Sequence, residues 1–220
     1  NAQTARKKVP GLTDAYTWDP ATGPAPCGAL DGVEAVINLL GETVVGRWTS
    51  AKKKAIRESR VLGTRNLVTS LGNVSPKPRI LISASAIGYY GDRGDEKLTE
   101  NSASGKDFLA SVSQAWEAEA CKAEDYGICV SRLRIGVVLA SGGGALDAML
   151  LPFQLGLGGA LGSGQQWWSW IHISDLLDLI DHCLEHPLDG PINATSPNPV
   201  RQKDFAKAMG KALKRPAFMP

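Results

Sequence analysis

Short apolar runs and longer amphipathic segments alternate along this chain, and that alternation limits its fold more than any other feature. The apolar runs are short and bounded by turn residues, which is typical of buried β-strands. They lie at residues 33–40, 80–82 and 128–139, with a shorter one that begins at Ile192. The segments between them carry apolar residues three and four positions apart, as one face of a helix does. These helical segments cover residues 50–71, 106–124, 174–186 and 202–214.

Buried strands that alternate with helices predict a parallel sheet covered by helices on both faces. The sequence therefore predicts an α/β fold with a doubly wound sheet. Folds of this class bind ligands in the crevice beyond the carboxyl ends of their strands. The segments that follow each strand are therefore the places where functional residues are expected.

Charge and hydropathy exclude several classes of function. The 220 residues include 24 basic and 22 acidic side chains, which gives a net charge of +2. That balance provides no electrostatic basis for binding nucleic acid or an anionic membrane surface. No apolar run reaches the roughly 18 residues of a membrane-spanning helix. A small-molecule substrate is the expected partner, and a homodimer is left open.

Neither the cysteines nor the histidines supply a complete metal site. The four cysteines show no paired short spacing, which argues against a zinc ribbon or a redox pair. They are Cys27, Cys121, Cys129 and Cys183. His182 and His186 lie four residues apart on a predicted helix, a spacing that suits zinc, but no third ligand is evident. No metal is expected.

Two strand exits carry residues that suit ligand chemistry. The first contains Asn38 and Gly41: an amide donates and accepts hydrogen bonds, and a glycine permits close approach of the backbone. The second contains Ser85, Tyr89 and Tyr90. Serine can hydrogen-bond a reacting oxygen, and tyrosine can transfer a proton. Each exit is also compatible with a plain turn packed by small residues, so both interpretations stay open.

Further motifs spread over nearly the whole chain accompany these exits. They lie at residues 36–39, 47–48, 59–60, 83–91, 116–117, 134–139, 143–145, 162–165, 170–172, 175, 193–194 and 197–199. Together they resemble the extended short-chain dehydrogenase/reductase superfamily in its epimerase-like branch, the NAD-dependent epimerase/dehydratase family. Some members of that branch carry a cell-division-inhibitor label. The resemblance implies a Rossmann-type sheet, a bound NADP (NAD is the alternative) and a small C-terminal substrate lobe.

The resemblance also implies roles for single residues. The expected cofactor-binding residues follow the strands and are Asn38, Leu39, Gly41, Ser83, Arg134, Gly136 and Val137. The expected substrate-binding residues lie toward the lobe and are Gln165, Trp170 and His172. Ser85 is the best match to the superfamily's active-site serine. Tyr89 or Tyr90 would serve as the catalytic acid.

The sequence departs from the superfamily at its catalytic pair, a tyrosine followed four residues later by a lysine. Tyr89 is followed at that distance by Arg93, and Tyr90 by Gly94. The helix position where the tyrosine is expected holds Phe108, and Val112 lies four residues further on. This departure argues against standard reductase or epimerase chemistry.

The superfamily opens with a strand, a glycine-rich turn and a helix, and no such unit precedes Asn38. We therefore expect the first β-α-β unit to be missing, the chain to stop where its relatives continue, and this piece alone to bind the cofactor poorly. Residues 1–140 are expected to form the N-terminally truncated dinucleotide-binding domain. Residues 141–220 would form a mixed region, the substrate lobe together with returning sheet elements.

Several features near the lobe have two interpretations. The glycines at 142–144 and at 159, 162 and 164 imitate phosphate loops, but a substrate-side loop and a mobile lip over the pocket are favoured. The tryptophans at 167, 168 and 170 would line a substrate pocket or belong to the core. His172 would contact substrate or take part in the start of the next helix, with Ser174 or Asp175 as the cap.

Two hypotheses for the function follow. The first is an atypical NADP-dependent oxidoreductase or nucleotide-sugar-epimerase-like enzyme that acts on an unidentified small molecule. The second is a non-catalytic NADP-binding sensor or a division-related regulatory protein. The basic residues 6–8 would lie near the adenosine ribose and favour NADP over NAD. The expected compartment is the cytoplasm, with a plastid or other organelle stroma as the alternative.

Overall fold

Strands and helices alternate along the chain as the sequence predicts. The computed structural model describes residues 2–217. Within them the elements are α1 (Ala2–Lys8), β1 (Ala35–Asn38), α2 (Ser50–Leu71), β2 (Ile80–Ala86), α3 (Phe108–Cys121), β3 (Cys129–Ile135), β4 (Val137–Leu139), α4 (Gly144–Gln154), β5 (Trp167–Trp168), β6 (Trp170–His172), α5 (Ile173–Glu185), β7 (Gly190–Ala194), β8 (Val200–Arg201) and α6 (Gln202–Leu213).

The central sheet has four strands in the order β1-β2-β3-β7, and each neighbouring pair is parallel. The predicted α/β fold with a parallel, Rossmann-like sheet is therefore confirmed. The outer edge of β1 has no strand partner among residues 2–217. Before β1, residues 2–34 contain α1 and a short 3-10 helix at Cys27–Ala29.

Helices cover both faces of this sheet because its strands carry apolar side chains on both faces. Leu81 of β2 packs in a cluster with Leu67 and Leu71 of α2 and Ala120 of α3. Its neighbours Ile80 and Ile82 point the other way and pack against α5. Side chains two residues apart in a strand share a face, so each residue of β2 can be assigned to one layer.

Local side chains fix the starts of the helices. The sequence predicts Thr49 or Ser50 as the cap of α2, and in the structure the Thr49 hydroxyl accepts a hydrogen bond from the Lys52 N–H at 3.2 Å and caps the helix. At α5 the expectation of Ser174 or Asp175 as the cap is wrong. Nδ1 of His172 accepts the Ser174 N–H at 3.2 Å, so the helix begins one residue earlier.

The apolar run at 128–139 was expected to form one strand, but it forms two strands that belong to different sheets. β3 lies in the central sheet, whereas β4 pairs in parallel with β6. The break occurs at Gly136, where a Cβ would lie 2.6 Å from the backbone oxygen of Ser169. Only glycine permits this close approach, and the strand changes partner there.

The C-terminal part of the structure has its own small core. Phe153 of α4 packs with Ala206 and Met209 of α6. The strands β5 and β8 form a two-stranded antiparallel sheet beside them. No helix within residues 2–217 has both the length and the apolar character needed to cross a membrane.

Candidate functional site

The register of the sheet brings polar side chains from three strands into line at its carboxyl end. Ser85 of β2 pairs with Arg134 of β3, and Arg134 pairs with Asn193 of β7. Two residues before Ser85 in β2, Ser83 pairs with Asn38 at the end of β1. Ser83 and Ser85 share a face with Leu81, so both point toward the layer of α2 and α3.

Five side chains form a continuous hydrogen-bonded group that we call the exit array: Ser85, Tyr90, Glu117, Arg134 and Asn193. Arg134 binds the Glu117 carboxylate through both oxygens, with Nε to Oε1 and Nη2 to Oε2 each at 2.9 Å. The Ser85 hydroxyl donates to Glu117 Oε1 at 2.6 Å. A carboxylate held in this two-point manner is an acceptor only, so the proton of Ser85 points toward Glu117.

The tyrosines lie on the other side of Arg134. The Tyr90 hydroxyl donates to Asn193 Oδ1 at 2.6 Å and accepts from Arg134 Nη1 at 2.9 Å. The guanidinium carbon of Arg134 lies 3.5 Å from the centre of the Tyr89 ring, which is a close cation–π contact. Arg134 Nη1 also donates to the backbone oxygen of Glu100 at 3.0 Å. Each of the three guanidinium nitrogens of Arg134 thus donates at least one hydrogen bond.

Both members of the central ion pair are buried: Arg134 is 3% exposed and Glu117 is 7% exposed. Burial alone would lower the pKa of Arg134, but its hydrogen bonds with Glu117 and Tyr90 raise that pKa above the ordinary value. The guanidinium therefore stays charged. The loss of either member would leave a buried charge without a partner, at a cost of about 3–5 kcal/mol.

A second buried group lies beside the array, and we call it the amide network. The Asn38 side-chain amide donates to Thr64 Oγ1 at 2.9 Å and to Ser83 Oγ at 3.1 Å. Trp116 Nε1 donates to the same Thr64 oxygen at 2.9 Å. Asn38 Oδ1 accepts the Leu40 N–H at 3.2 Å. The network fixes the path of the chain as it leaves β1, and Ser83 lies beneath the surface within it.

The exposed part of this exit suits a flat dinucleotide. Leu39 is 65% exposed and Gly41 is exposed as well. A Cβ at Gly41 would lie 3.0 Å from the guanidinium of Arg60, which donates to the Glu42 backbone oxygen at 2.9 Å. Burial lowers the pKa of Arg60. The exposed Leu39 side chain next to the backbone of Gly41, with the Arg60 guanidinium close to that glycine, fits a nicotinamide dinucleotide.

Gly136 and Val137 lie where the chain leaves the central sheet. The Val137 N–H donates to the Ser169 backbone oxygen at 2.9 Å, and Val137 pairs with Trp170. Neither residue belongs to the hydrogen bonds of the exit array. Their observed contacts join β4 to β6.

The structure does not bring the three expected substrate-binding residues into contact with the array. Gln165 is exposed, and its backbone oxygen accepts from Arg201 while its Oε1 accepts from Lys203 at 3.3 Å. Trp170 Nε1 donates to the Asn198 backbone oxygen at 3.1 Å. The contact observed for His172 is the cap of α5.

Sequence reasoning assigned no site role to Glu117, Asn193 or Thr64, although each is part of a buried group. Glu117 had a readable signal, because it lies on the same face of α3 as the buried residues Ala110, Ser113 and Ala120, which are 7, 4 and 3 residues away. A charge on such a face needs a partner of opposite charge. Arg134, which alternates with the apolar residues Leu133 and Ile135 in β3, was the matching signal.

Metal ligands do not cluster in the part of the chain that the structure describes, where no group of three or more histidine, cysteine or acidic side chains has a suitable arrangement. His182 and His186 stand with ring centroids 4.9 Å apart near the end of α5. They interact with each other and have no third ligand in this described part of the chain.

The fold and the polar groups at its strand exits define a Rossmann-like α/β protein. The profile of the NAD dependent epimerase/dehydratase family matches residues 25–195. The chain is 45% identical over 194 residues to the epimerase family protein SDR39U1 homolog, chloroplastic, of Arabidopsis thaliana, which covers 87% of this chain and 56% of that protein. This chain therefore belongs to the NAD-dependent epimerase/dehydratase family.

Other relatives agree with this assignment. Epimerase family protein YfhF of Bacillus subtilis is 40% identical over 200 residues, which cover 90% of this chain and 66% of that protein. The crystal structure of human epimerase family protein SDR39U1 (isoform 2) with NADPH superposes with a TM-score of 0.83 at 34% identity. That match covers 98% of this chain and 72% of the human chain. Because its match covers 56% of the Arabidopsis protein, the chain spans less than two thirds of the length of that relative.

Proposed function

We propose that this protein is an NADP-dependent oxidoreductase or epimerase-like enzyme that acts on a small molecule at the exits of β1, β2 and β3. The observation that carries the proposal is the exit array, in which a serine and a tyrosine flank a buried ion pair at the carboxyl end of a Rossmann-like sheet, with the Tyr89 ring against Arg134. Ligands bind at this end of such sheets. The NADPH that accompanies the human relative supports the cofactor.

Leu39 and Gly41 would hold the cofactor along the end of β1, with Asn38 and Ser83 fixing the backbone beneath it. When bound, the cofactor supplies hydride exchange. We assign residues 1–140 to cofactor binding and residues 141–220 to the substrate lobe and returning sheet elements. In this division Gln165, Trp170 and His172 face the substrate lobe, while Gly136 and Val137 join the two parts.

Ser85 and Tyr89 are the proposed catalytic residues. Because the Ser85 proton points to Glu117, its oxygen keeps lone pairs that accept a hydrogen bond from the hydroxyl that forms when Tyr89 gives its proton to the substrate's carbonyl oxygen. Tyr89 is half-buried, so of the two tyrosines it is the more accessible proton donor. Tyr90 is 4% exposed and uses its hydroxyl toward both Asn193 and Arg134. We therefore assign Tyr90 a positioning role.

The test is turnover of NADPH by the full-length protein against a set of carbonyl compounds. Ser85→Ala and Tyr89→Phe should each lower kcat/KM by about 100-fold or more, the usual contribution of an acid or an oriented hydrogen bond. Ser111→Ala and Tyr126→Phe remove exposed hydroxyls and are the matched controls. Turnover that survives both Ser85→Ala and Tyr89→Phe would overturn the assignment.

A specific observation also favours the second candidate, a cofactor-binding protein without catalysis. Ser85 is 3% exposed, and the hydroxyls of Ser85 and Tyr90 are both committed to partners within the protein. The positions at which the superfamily has its tyrosine and lysine hold Phe108 and Val112. NADPH binding by the full-length protein, with no turnover of any carbonyl compound tested, would favour this candidate.

The preference for NADP rests on the basic residues of α1. Arg6, Lys7 and Lys8 are exposed, and Arg6 makes a surface ion pair with Asp14 at 3.6 Å. A cation near the adenosine ribose favours the additional phosphate of NADP. We expect Lys7→Glu/Lys8→Glu to weaken NADPH binding more than NADH binding in the full-length protein. Equal losses for the two cofactors would remove the idea.

The compartment and the oligomeric state are also proposals. We propose a cytoplasmic protein, with an organelle stroma as the alternative that the chloroplastic Arabidopsis relative supports. A homodimer is tested by sedimentation of the full-length protein. A mass of one chain at micromolar concentration would contradict it.

A further inference from the structure

A cavity in the C-terminal part of the structure is lined by a glutamine amide whose nitrogen makes no hydrogen bond within the described chain. The cavity has a volume of about 180 Å³ and lies between α4, the loop at residues 157–161 and the start of α6. We call it the lobe cavity. Its principal side chains are Met149, Phe153, Leu157, Leu161, Phe205 and Gln202. Five of these six are apolar.

Gln202 is the polar side chain of this wall, and it is 2% exposed. Its Oε1 accepts the Leu161 N–H at 2.8 Å, which settles the orientation of the amide. Within residues 2–217, no acceptor lies within hydrogen-bond distance of its Nε2. Nε2 is not among the buried side-chain atoms that lack a partner, so it retains accessible surface, which faces the cavity. The two N–H groups of Nε2 are therefore available to a molecule in the cavity.

The size and rim of the cavity narrow the class of that molecule. An apolar cavity of about 150 Å³ takes up one benzene molecule, so the lobe cavity suits a single ring or a short aliphatic chain. Leu157 and Leu161 at the rim are 57% and 55% exposed, which gives an apolar entrance. A pyrimidine base has several polar edges, and one glutamine side chain cannot satisfy them all.

We propose that the lobe cavity binds an apolar ring or short chain that carries one carbonyl group, whose oxygen accepts a hydrogen bond from Gln202 Nε2. This ligand is separate from the substrate of the proposed reaction, because no residue of the exit array lines the cavity. The aromatic ring of Phe205 in the cavity wall suits an apolar ring as ligand. The Trp168 ring packs 4.7 Å from that of Phe205 and supports the wall from outside the cavity.

The test compares acetophenone, its hydrocarbon counterpart ethylbenzene, and uridine diphosphate as probes in calorimetric titrations of the full-length protein without NADPH. Acetophenone should bind about fivefold more tightly than ethylbenzene, the effect of one ordinary hydrogen bond. Gln202→Met should abolish this preference and leave the affinity for ethylbenzene within about twofold. Gln166→Met is the matched control, because Gln166 contacts the backbone oxygen of Leu161 from an exposed position.

Gln202→Glu is a second variant that guards against misfolding of the first. Titrated at about pH 9, where the carboxyl is ionised, this variant keeps an acceptor for the Leu161 N–H but has no proton to donate, so it should also lose the preference for acetophenone. The proposal is overturned if neither aromatic probe binds, or if the preference survives in a folded Gln202 variant. It is also overturned if uridine diphosphate binds in a Gln202-dependent manner and ethylbenzene does not.

These titrations contain no cofactor, so they fail independently of the proposed reaction. Loss of NADPH turnover with an intact preference for the ketone would reject the proposed reaction alone. Normal turnover without that preference would reject the lobe cavity as a carbonyl-binding site.

Discussion

The exit array and the lobe cavity both contain a deeply buried polar side chain, but they differ in how many of its hydrogen-bond donors have a partner. Arg134 in the array is 3% exposed and hydrogen-bonds to Glu117, Tyr90 and the Glu100 backbone. Gln202 in the cavity is 2% exposed, and its Nε2 has no acceptor within residues 2–217. A saturated side chain holds its neighbours in position, whereas an unsaturated one is free to recognise a ligand.

This difference has energetic consequences. The array is held by charge-assisted hydrogen bonds that only work as a complete set, because an unpaired buried charge is costly. The wall of the lobe cavity is held by apolar contacts among Phe153, Ala206 and Met209. We therefore expect substitutions in the array to cost stability, and substitutions of Gln202 to cost mainly ligand discrimination.

The largest expected effect comes from Arg134→Met, which leaves the Glu117 carboxylate buried without a cation. The free energy of unfolding should fall by about 3–5 kcal/mol. Chemical denaturation measures it, and Arg93→Met is the control, because that arginine pairs with Glu96 on the surface and should cost about 1 kcal/mol or less. Adding Glu117→Gln to Arg134→Met should recover part of the loss. Equal losses for Arg93→Met and Arg134→Met would show that the array is not a buried ion pair.

Thr64→Val tests the amide network, which is saturated in the same way as the array. The substitution removes the oxygen that accepts from both Asn38 and Trp116 and leaves one donor on each unpaired. We expect a loss of about 1–3 kcal/mol. Thr69→Val, at an exposed position of the same helix, should change the unfolding free energy by less than about 0.5 kcal/mol. Similar values for the two variants would contradict the network.

Gly136→Ala tests the point where the central sheet gives way to the C-terminal part. The added Cβ would lie 2.6 Å from the Ser169 backbone oxygen and 3.0 Å from Thr195 Cγ2, so β4 and β6 must shift. Overpacking of this kind costs about 1–3 kcal/mol. Thermal unfolding measures it, with Gly23→Ala as the control, because nothing lies within 4 Å of a Cβ there. A neutral Gly136→Ala would mean that the strand break has another cause.

The smallest expected effect is the pH dependence contributed by Glu119 of α3, which is 6% exposed itself but pairs with the solvent-exposed side chains of Arg65 and Lys122. Burial would raise its pKa, but the hydrogen bonds with the two cations lower it. Its folded-state pKa is thus below the unfolded value, so its contribution is present above that value and is lost as the pH falls. Glu119→Gln should cost about 1 kcal/mol or less at neutral pH and nothing near pH 2. A difference in unfolding free energy between the two proteins that grows as the pH falls would contradict this prediction.

Sequence reasoning succeeded where the signal is local. The apolar spacing of α2 and its Thr49 cap lie within a few residues of each other, and both were predicted. The sequence could not show that the run at 128–139 changes sheets at Gly136, because the cause is the approach of Ser169 from a distant segment. Likewise, the bond between Tyr90 and Asn193 joins residues 103 positions apart. Register across three strands creates that contact, and no short motif encodes it.

Side-chain amide hydrogen exchange tests the central contrast in a single NMR spectrum of the full-length protein. Asn38 and Gln202 are each 2% exposed, but both Nδ2 hydrogens of Asn38 are bonded, to Thr64 and Ser83. We predict slow exchange for Asn38 and fast exchange for Gln202, which becomes slow when acetophenone is added. Equal protection of the two amides in the protein without acetophenone would contradict the account.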